Sequence, residues 1–170
     1  KVSSALDGAG LPYAVVGDCA VAAWVATVDL AAVRNSQDVD ILLERSDLPA
    51  AIAALEHSGF FYRHSAGLDM FLDGPDSKAK DAVHVVFAGE KVQPDYVLPT
   101  PTLDQAERIA EFATLGLEAL VCIKLTSNRR KDQVPVLDLI EVGLVDESWL
   151  NKLPDPLRPR LQELLDNPEG

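Results

Sequence analysis

Cysteine is nearly absent from this chain of 170 residues. The two present, Cys19 and Cys122, lie far apart and match no metal-binding spacing, so they read as small buried hydrophobes of a reducing compartment. Histidine is as scarce. His57, His64 and His84 are the only three, and a three-histidine zinc site would consume all of them. No apolar run approaches the roughly 20 residues that span a bilayer. The longest is residues 20–26, and the opening at Lys1 carries no signal-peptide pattern. Common signatures are missing as well: no G-x-x-x-x-G-K-[ST], no G-x-G-x-x-G after a strand, no H-E-x-x-H, no C-x-x-C and no G-x-S-x-G. There is no internal repeat or low-complexity tract. Positive charge is also short: 15 Lys and Arg against 27 Asp and Glu leave a formal charge of −12. That argues against a protein that coats duplex DNA or an anionic membrane, since both need a net basic face. The expectation is a soluble, cytoplasmic, acidic protein.

What is present has the balance of a folded globular chain, 48% hydrophobic and 25% charged. A chain of this length buries about 68–70% of its accessible surface on folding and needs no disulfide or metal staple. Residues 12–16 form an apolar run that reads as a strand stopped at Gly17. Residues 19–26 are alanine-rich and read as a helix with Asp18 as its N-cap. Residues 38–43 alternate as a strand, with Asp38, Asp40 and Leu42 on one face and Val39, Ile41 and Leu43 on the other. Ser46 then caps a helix with Leu48, Ile52 and Leu55 at helical spacing, ending near Gly59. Residues 59–63 and 68–72 read as two short strands, residues 73–80 as a solvated loop, and residues 82–87 as another strand. Residues 92–102 read as a crossing loop and residues 108–112 as one further strand. From Glu118 onward the spacing turns helical, with Asp132 and Asp155 near helix starts and Gly143 as a C-cap. The pattern predicts an α/β or α+β protein: a core of residues 1–116 and a helical C-terminal subdomain, residues 117–170, packed on it.

Asp38-Val39-Asp40 carries the chemistry. Two carboxylates on one strand face cannot enter an apolar core without partners, so they must meet water, a cation or a basic side chain. Such a pair suits Mg²⁺, which takes carboxylate oxygens together with substrate phosphates. An ordinary solvated edge or an Asp–Arg pair gives the same spacing. Lys124, Arg129, Arg130 and Lys131 form the one dense basic cluster in the chain, with no acid between Ala119 and Lys131. It fits a polyanionic ligand, or equally an exposed helix end whose cations meet the C-terminal dipole.

The order of these pieces resembles the nucleotidyltransferase superfamily, whose fold is shared by polymerase β. An apolar strand ends in Gly17, a helix follows, and Arg34-Asn35-Ser36-Gln37 leads into Asp38-Val39-Asp40. Residues 117–125, with Arg130-Lys131-Asp132 and Asp138-Leu139, are similar to the signature of the branch holding abortive-infection toxins and antibiotic nucleotidyltransferases. Arg34 and Ser36 stand where that branch carries R-x-T. The resemblance covers roughly residues 10–145. It implies a nucleotidyltransferase fold, a mixed sheet flanked by helices, with three strands, residues 14–16, 38–43 and 83–87, as neighbours. It further implies Asp38 and Asp40 as catalytic carboxylates on Mg²⁺, and Gly17, Asp18, Arg34, Ser36, Lys124 and Lys131 as nucleotide-binding positions. The partners would be an NTP and a hydroxyl acceptor, the reaction moving a nucleoside monophosphate from one to the other.

Two positions depart from the family pattern. Asp18 replaces a Gly or Ser at the head of the helix, and its carboxylate sits where phosphates dock. Like charges about 4 Å apart repel by about 4 kcal/mol at an effective dielectric of about 20. His84 stands where many members place a third carboxylate. Neutral histidine accepts a proton near pH 7, which makes it a candidate catalytic base, but it supplies no charge for a second metal. The alternative is therefore a degraded site, a nucleotide-binding or protein-interaction module of the toxin–antitoxin type. Asp38, Asp40 and His84 are expected to face one cleft, with Lys124 as an exposed cation at its mouth.

Overall fold

A computed structural model describes residues 1–36, 38–78, 81–109 and 111–168. Seven strands make one mixed sheet: β1 (Ala14–Val16), β2 (Val39–Leu43), β3 (Phe61–Ser65), β4 (Leu68–Leu72), β5 (Val83–Phe87), β6 (Ala106–Ile109) and β7 (Phe112–Leu115). Their order across the sheet is β3-β4-β5-β2-β1-β7-β6. The three strands expected to be neighbours are so: β1 runs antiparallel to β2, and β2 parallel to β5. Among the described residues six α-helices accompany them: α1 (Val2–Gly8), α2 (Gly17–Ala26), α3 (Leu48–His57), α4 (Leu117–Ser127), α5 (Arg130–Glu141) and α6 (Arg158–Asp166). Helix α2 packs on β1, β2, α4 and α5, and α1 packs on α3. The Trp24 indole N–H donates to Leu115 O at 3.0 Å, tying α2 to the end of β7.

Register fixes which side chains share a face. Val16 pairs with Asp40, Asp40 with His84, and His84 with Met70, so these four lie on one side of the sheet. Ile41, Leu43, Phe71, Val83, Val85 and Phe87 occupy the other and join a single apolar core. That core runs from Leu6 through Leu115, Leu120 and Leu139 to Leu164. A small second cluster holds Met70, Leu72 and Ala82. Cys19 and Cys122 are free and half-buried, and burial pushes the Cys122 thiol up to about 11. Among the described residues no helix is long and apolar enough to cross a membrane.

Several boundaries differ from the sequence expectation. Asp18 is not an N-cap. Val16 holds that position, Gly17 opens the helix at φ +71°, and the Asp18 carboxylate turns away to a lysine instead of capping. Ser46 does not cap α3 either, because it lies inside a 3₁₀ turn, Arg45–Asp47, and Pro49 sets the first turn of the helix. The strand expected at residues 108–112 is two strands, β6 and β7, paired antiparallel, with residue 110 outside the described set. Asp155 begins only a 3₁₀ turn, Asp155–Leu157, ahead of α6. Gly143, at φ +76°, does close α5 as expected, where its N–H donates to Ile140 O at 3.0 Å. The expected loop at residues 73–80 is without regular structure as far as residue 78, and residues 79 and 80 lie outside the described set.

Candidate active site

The sheet and the head of α2 meet at Asp40. A Cβ added to Gly17 would overlap the Asp40 carboxylate oxygen and lie 3.1 Å from its Cγ. Only a residue without a side chain, and tolerant of positive φ, lets the helix start close on the strand. On the neighbouring strand, His84 Nδ1 stands 3.7 Å from Asp40 Oδ1, both side chains about a third exposed. Burial pushes the Asp40 carboxyl up. The His84 and Lys124 charges pull it back only partly, and Asp18 and Asp38 push it further up. Asp38 precedes β2 and is exposed. Its carbonyl accepts from Cys19 Sγ at 3.2 Å, which ties Asp38 to α2, and from Ser36 Oγ at 3.3 Å. The charges of Asp18 and Asp38 thus both bear on Asp40.

Basic side chains stand beside them, and Lys124, Arg129 and Arg34 each meet an acid. Lys124 of α4 contacts Asp18 and lies 3.8 Å from Asp132. Arg129 clasps Asp132 through Nε and Nη2 at 2.6 and 3.2 Å. Burial alone would raise Asp132, but hydrogen bonds from Arg129 and Ser127 and two positive neighbours hold its carboxyl low. Arg34 Nε reaches Asp138 Oδ1 at 2.8 Å, yet burial still leaves the Asp138 carboxyl raised. Lys131 is exposed and, with Asp18, Arg34, Asn35, Ser36 and Asp138, lines a cavity of about 170 Å³ between α2 and α5. Val21, Val25, Val134 and Pro135 supply its apolar wall.

The chain matches no protein-family model and no curated protein. Solved structures do match. The antibiotic-resistance factor ANT(2'')-Ia superposes with a TM-score of 0.60 at 14% identity, over 95% of this chain and 88% of that one. An antigenic nucleotidyltransferase-like protein from Paracoccidioides brasiliensis superposes with a TM-score of 0.61 at 17% identity, over 97% and 84%. A structure of ANT(2'')-Ia with adenylyl-2''-tobramycin gives 0.59 at 15%, over 96% and 94%. The chain has the nucleotidyltransferase fold. The mixed sheet flanked by helices is the architecture expected from the order of the sequence pieces.

Within this nucleotidyltransferase fold, parity brings Asp40 and His84 to one side, and Asp18, Arg34, Ser36 and Lys131 border one cavity. Lys124 is a correction. It is buried, its side chain 7% exposed, because two carboxylates of other elements draw it in. Asp132, its partner on α5, and Asp138, the partner of Arg34, were not singled out for the site from the sequence. The signal was available: both acids interrupt the inward face of α5 beside Val136 and Leu139, and a carboxylate inside an apolar stripe needs a basic partner. The donor set also bears on a metal. Among the described residues no three His, Cys, Asp or Glu side chains are grouped to hold one. Two hard oxygen donors, one of them a carboxylate whose ionised form burial disfavours, fit a cation that keeps waters and substrate oxygens, which is the habit of Mg²⁺.

Proposed function

We propose that this chain is a nucleotidyltransferase that moves a nucleoside monophosphate from an NTP to a hydroxyl acceptor, with Mg²⁺ held by Asp38 and Asp40. The observation that carries the reading is the closure of Gly17 on Asp40, with His84 3.7 Å away. A helix start, the Asp40 carboxylate and a histidine so close to one another support that reading. The N–H groups of α2 and the side chains of Arg34, Ser36 and Lys131 would receive the triphosphate, with Lys124 behind them. Mg²⁺, when bound, supplies positive charge to the phosphates. The acceptor oxygen bonds to the α-phosphorus, the α–β bridging oxygen leaves with pyrophosphate, and the hydroxyl proton passes to His84. With Nδ1 turned toward Asp40, Nε2 is the nitrogen free to take it.

A small molecule is the acceptor class favoured here, because a chain of net charge −12 repels nucleic acid and ANT(2'')-Ia has been solved with adenylyl-2''-tobramycin. The two unpaired cysteines support a cytoplasmic setting. A second reading has a specific support: Lys124 is already neutralised by Asp18, as in a module that has lost catalysis and binds a nucleotide or a protein partner of the toxin–antitoxin kind. Label on the α-phosphate of an NTP separates the two. Transfer to an acceptor by wild type, lost in Asp38→Ala, is the expected result. Mg²⁺–NTP that raises the melting temperature of wild type but not of Asp40→Ala, with label never moving, would support the binding module instead.

A further inference from the structure

Lys124 is a buried cation between two acids. Its side chain is 7% exposed, and its ammonium meets Asp18 in direct contact and Asp132 at 3.8 Å. The two acids are not equivalent. Asp132 is 6% exposed and already held by the Arg129 guanidinium. Asp18 has no other cation within ion-pair distance among the described residues, and its side chain is 49% exposed. It stands in the first turn of α2, yet it caps none of that helix's N–H groups. A movable surface carboxylate therefore neutralises a buried ammonium. Without Asp18 that buried ammonium would keep only Asp132, which Arg129 already holds, so the empty protein keeps a second anion there. Asp18 also lines the cavity that Arg34, Ser36 and Lys131 border.

Resting on the nucleotidyltransferase reading above, we infer that Asp18 is an internal substitute for a substrate phosphate, an autoinhibitory carboxylate that holds Lys124 until a polyphosphate displaces it. A carboxylate and a phosphate oxygen are interchangeable partners for an ammonium. A triphosphate carries more charge and reaches Arg34 and Lys131 as well, so it can win the exchange while Asp18 turns into solvent. Binding must then overcome the broken Asp18–Lys124 pair and the repulsion between Asp18 and the incoming phosphates. Asp18 sets the affinity of the site rather than its chemistry.

Asp18→Asn removes the charge and keeps the size. Inorganic tripolyphosphate and Mg·ATP are the probes, read by melting temperature and by calorimetry. The variant is expected to melt below wild type when empty, to recover with tripolyphosphate, and to bind both probes about tenfold more tightly than wild type. Adding Lys124→Met to it is expected to abolish that gain. A variant that is less stable, yet binds neither probe more tightly, would make Asp18 a structural partner alone and overturn the inference. Tighter tripolyphosphate binding with no Mg·ATP binding by either protein would uphold the inference and overturn the nucleotidyltransferase reading. If Asp18→Asn does not fold, refolding with tripolyphosphate gives the same decision: recovery of the native circular dichroism is expected, and no recovery overturns the inference.

Discussion

The head of α2 closes on Asp40 only because residue 17 has no side chain. Its φ of +71° is a conformation that costs an L-residue about 1–2 kcal/mol, and a Cβ there would lie 3.1 and 3.3 Å from the Asp40 Cγ and Cβ. Gly17→Ala is therefore expected to lose about 2–3 kcal/mol of stability in urea unfolding. It is also expected to displace Asp40 from His84 and abolish any Mg²⁺–NTP stabilisation. A variant that loses stability but keeps its full nucleotide response would detach Gly17 from the site. The shared face of Asp40 and His84 and the turn at Gly17 were legible because strand parity and a strand-ending glycine are local patterns, whereas the adjacency of their strands came from the family resemblance. The burial of Lys124 was not legible. Its partner Asp18 is 106 residues away, and no local spacing reports an ion pair between α2 and α4.

Among the elements, the β3–β4 hairpin holds a buried carboxylate with two side-chain partners. In its register His64 faces Asp69, and the Asp69 carboxylate accepts from Tyr62 Oη at 2.6 Å with His64 Nδ1 at 2.9 Å. Asp69 is 7% exposed. Burial would raise its carboxyl, but the Tyr62 and His64 hydrogen bonds and the charges of His64 and Arg45 outweigh it and hold it low. The sign follows from linkage. A carboxyl depressed in the folded state stabilises the fold above its unfolded value, near 3.9, and that contribution fades as pH falls through the folded value. Asp69→Asn should thus be about 1–2 kcal/mol less stable than wild type at neutral pH, with the gap closing below about pH 4. Urea midpoints across that range measure it, and a gap independent of pH would show that ionisation of Asp69 contributes nothing. This hairpin was readable from its two short apolar runs and polar turn. The β6–β7 hairpin was not, because Ile109-Ala110-Glu111-Phe112 contains no Gly, Pro or Asn to mark a reversal. Pairing of β7 with β1, 99 residues away at Val15 and Thr114, is what makes it a strand of the central sheet.

At the scale of the whole molecule, the C-terminal helices complete the core that the strands begin. Leu120, Val121 and Leu125 of α4, Val136 and Leu139 of α5, and Leu153, Leu157 and Leu161 beyond them are each 1% exposed or less. All eight belong to the cluster that also holds Leu6, Ile41 and Phe71. The helical character of this region was plain from its spacing, whereas its place against α2 and the sheet depends on contacts between distant segments that periodicity does not encode. A fully buried aliphatic side chain contributes about 1.5–3 kcal/mol, so the burial of these residues together is as large as the about 5–15 kcal/mol by which a whole domain is stable. We therefore propose that residues 1–116 and 117–170 fold as one cooperative unit. A fragment ending at Gly116 is expected to collapse without native packing, with poorly dispersed amide resonances and no cooperative melting transition. The full chain is expected to lose near- and far-ultraviolet circular dichroism in one coincident step. A fragment of residues 1–116 that melts cooperatively, or a full chain that melts in two steps, would mean that the helices are an appendage. The Lys124–Asp18 contact would then join two bodies instead of sitting inside one.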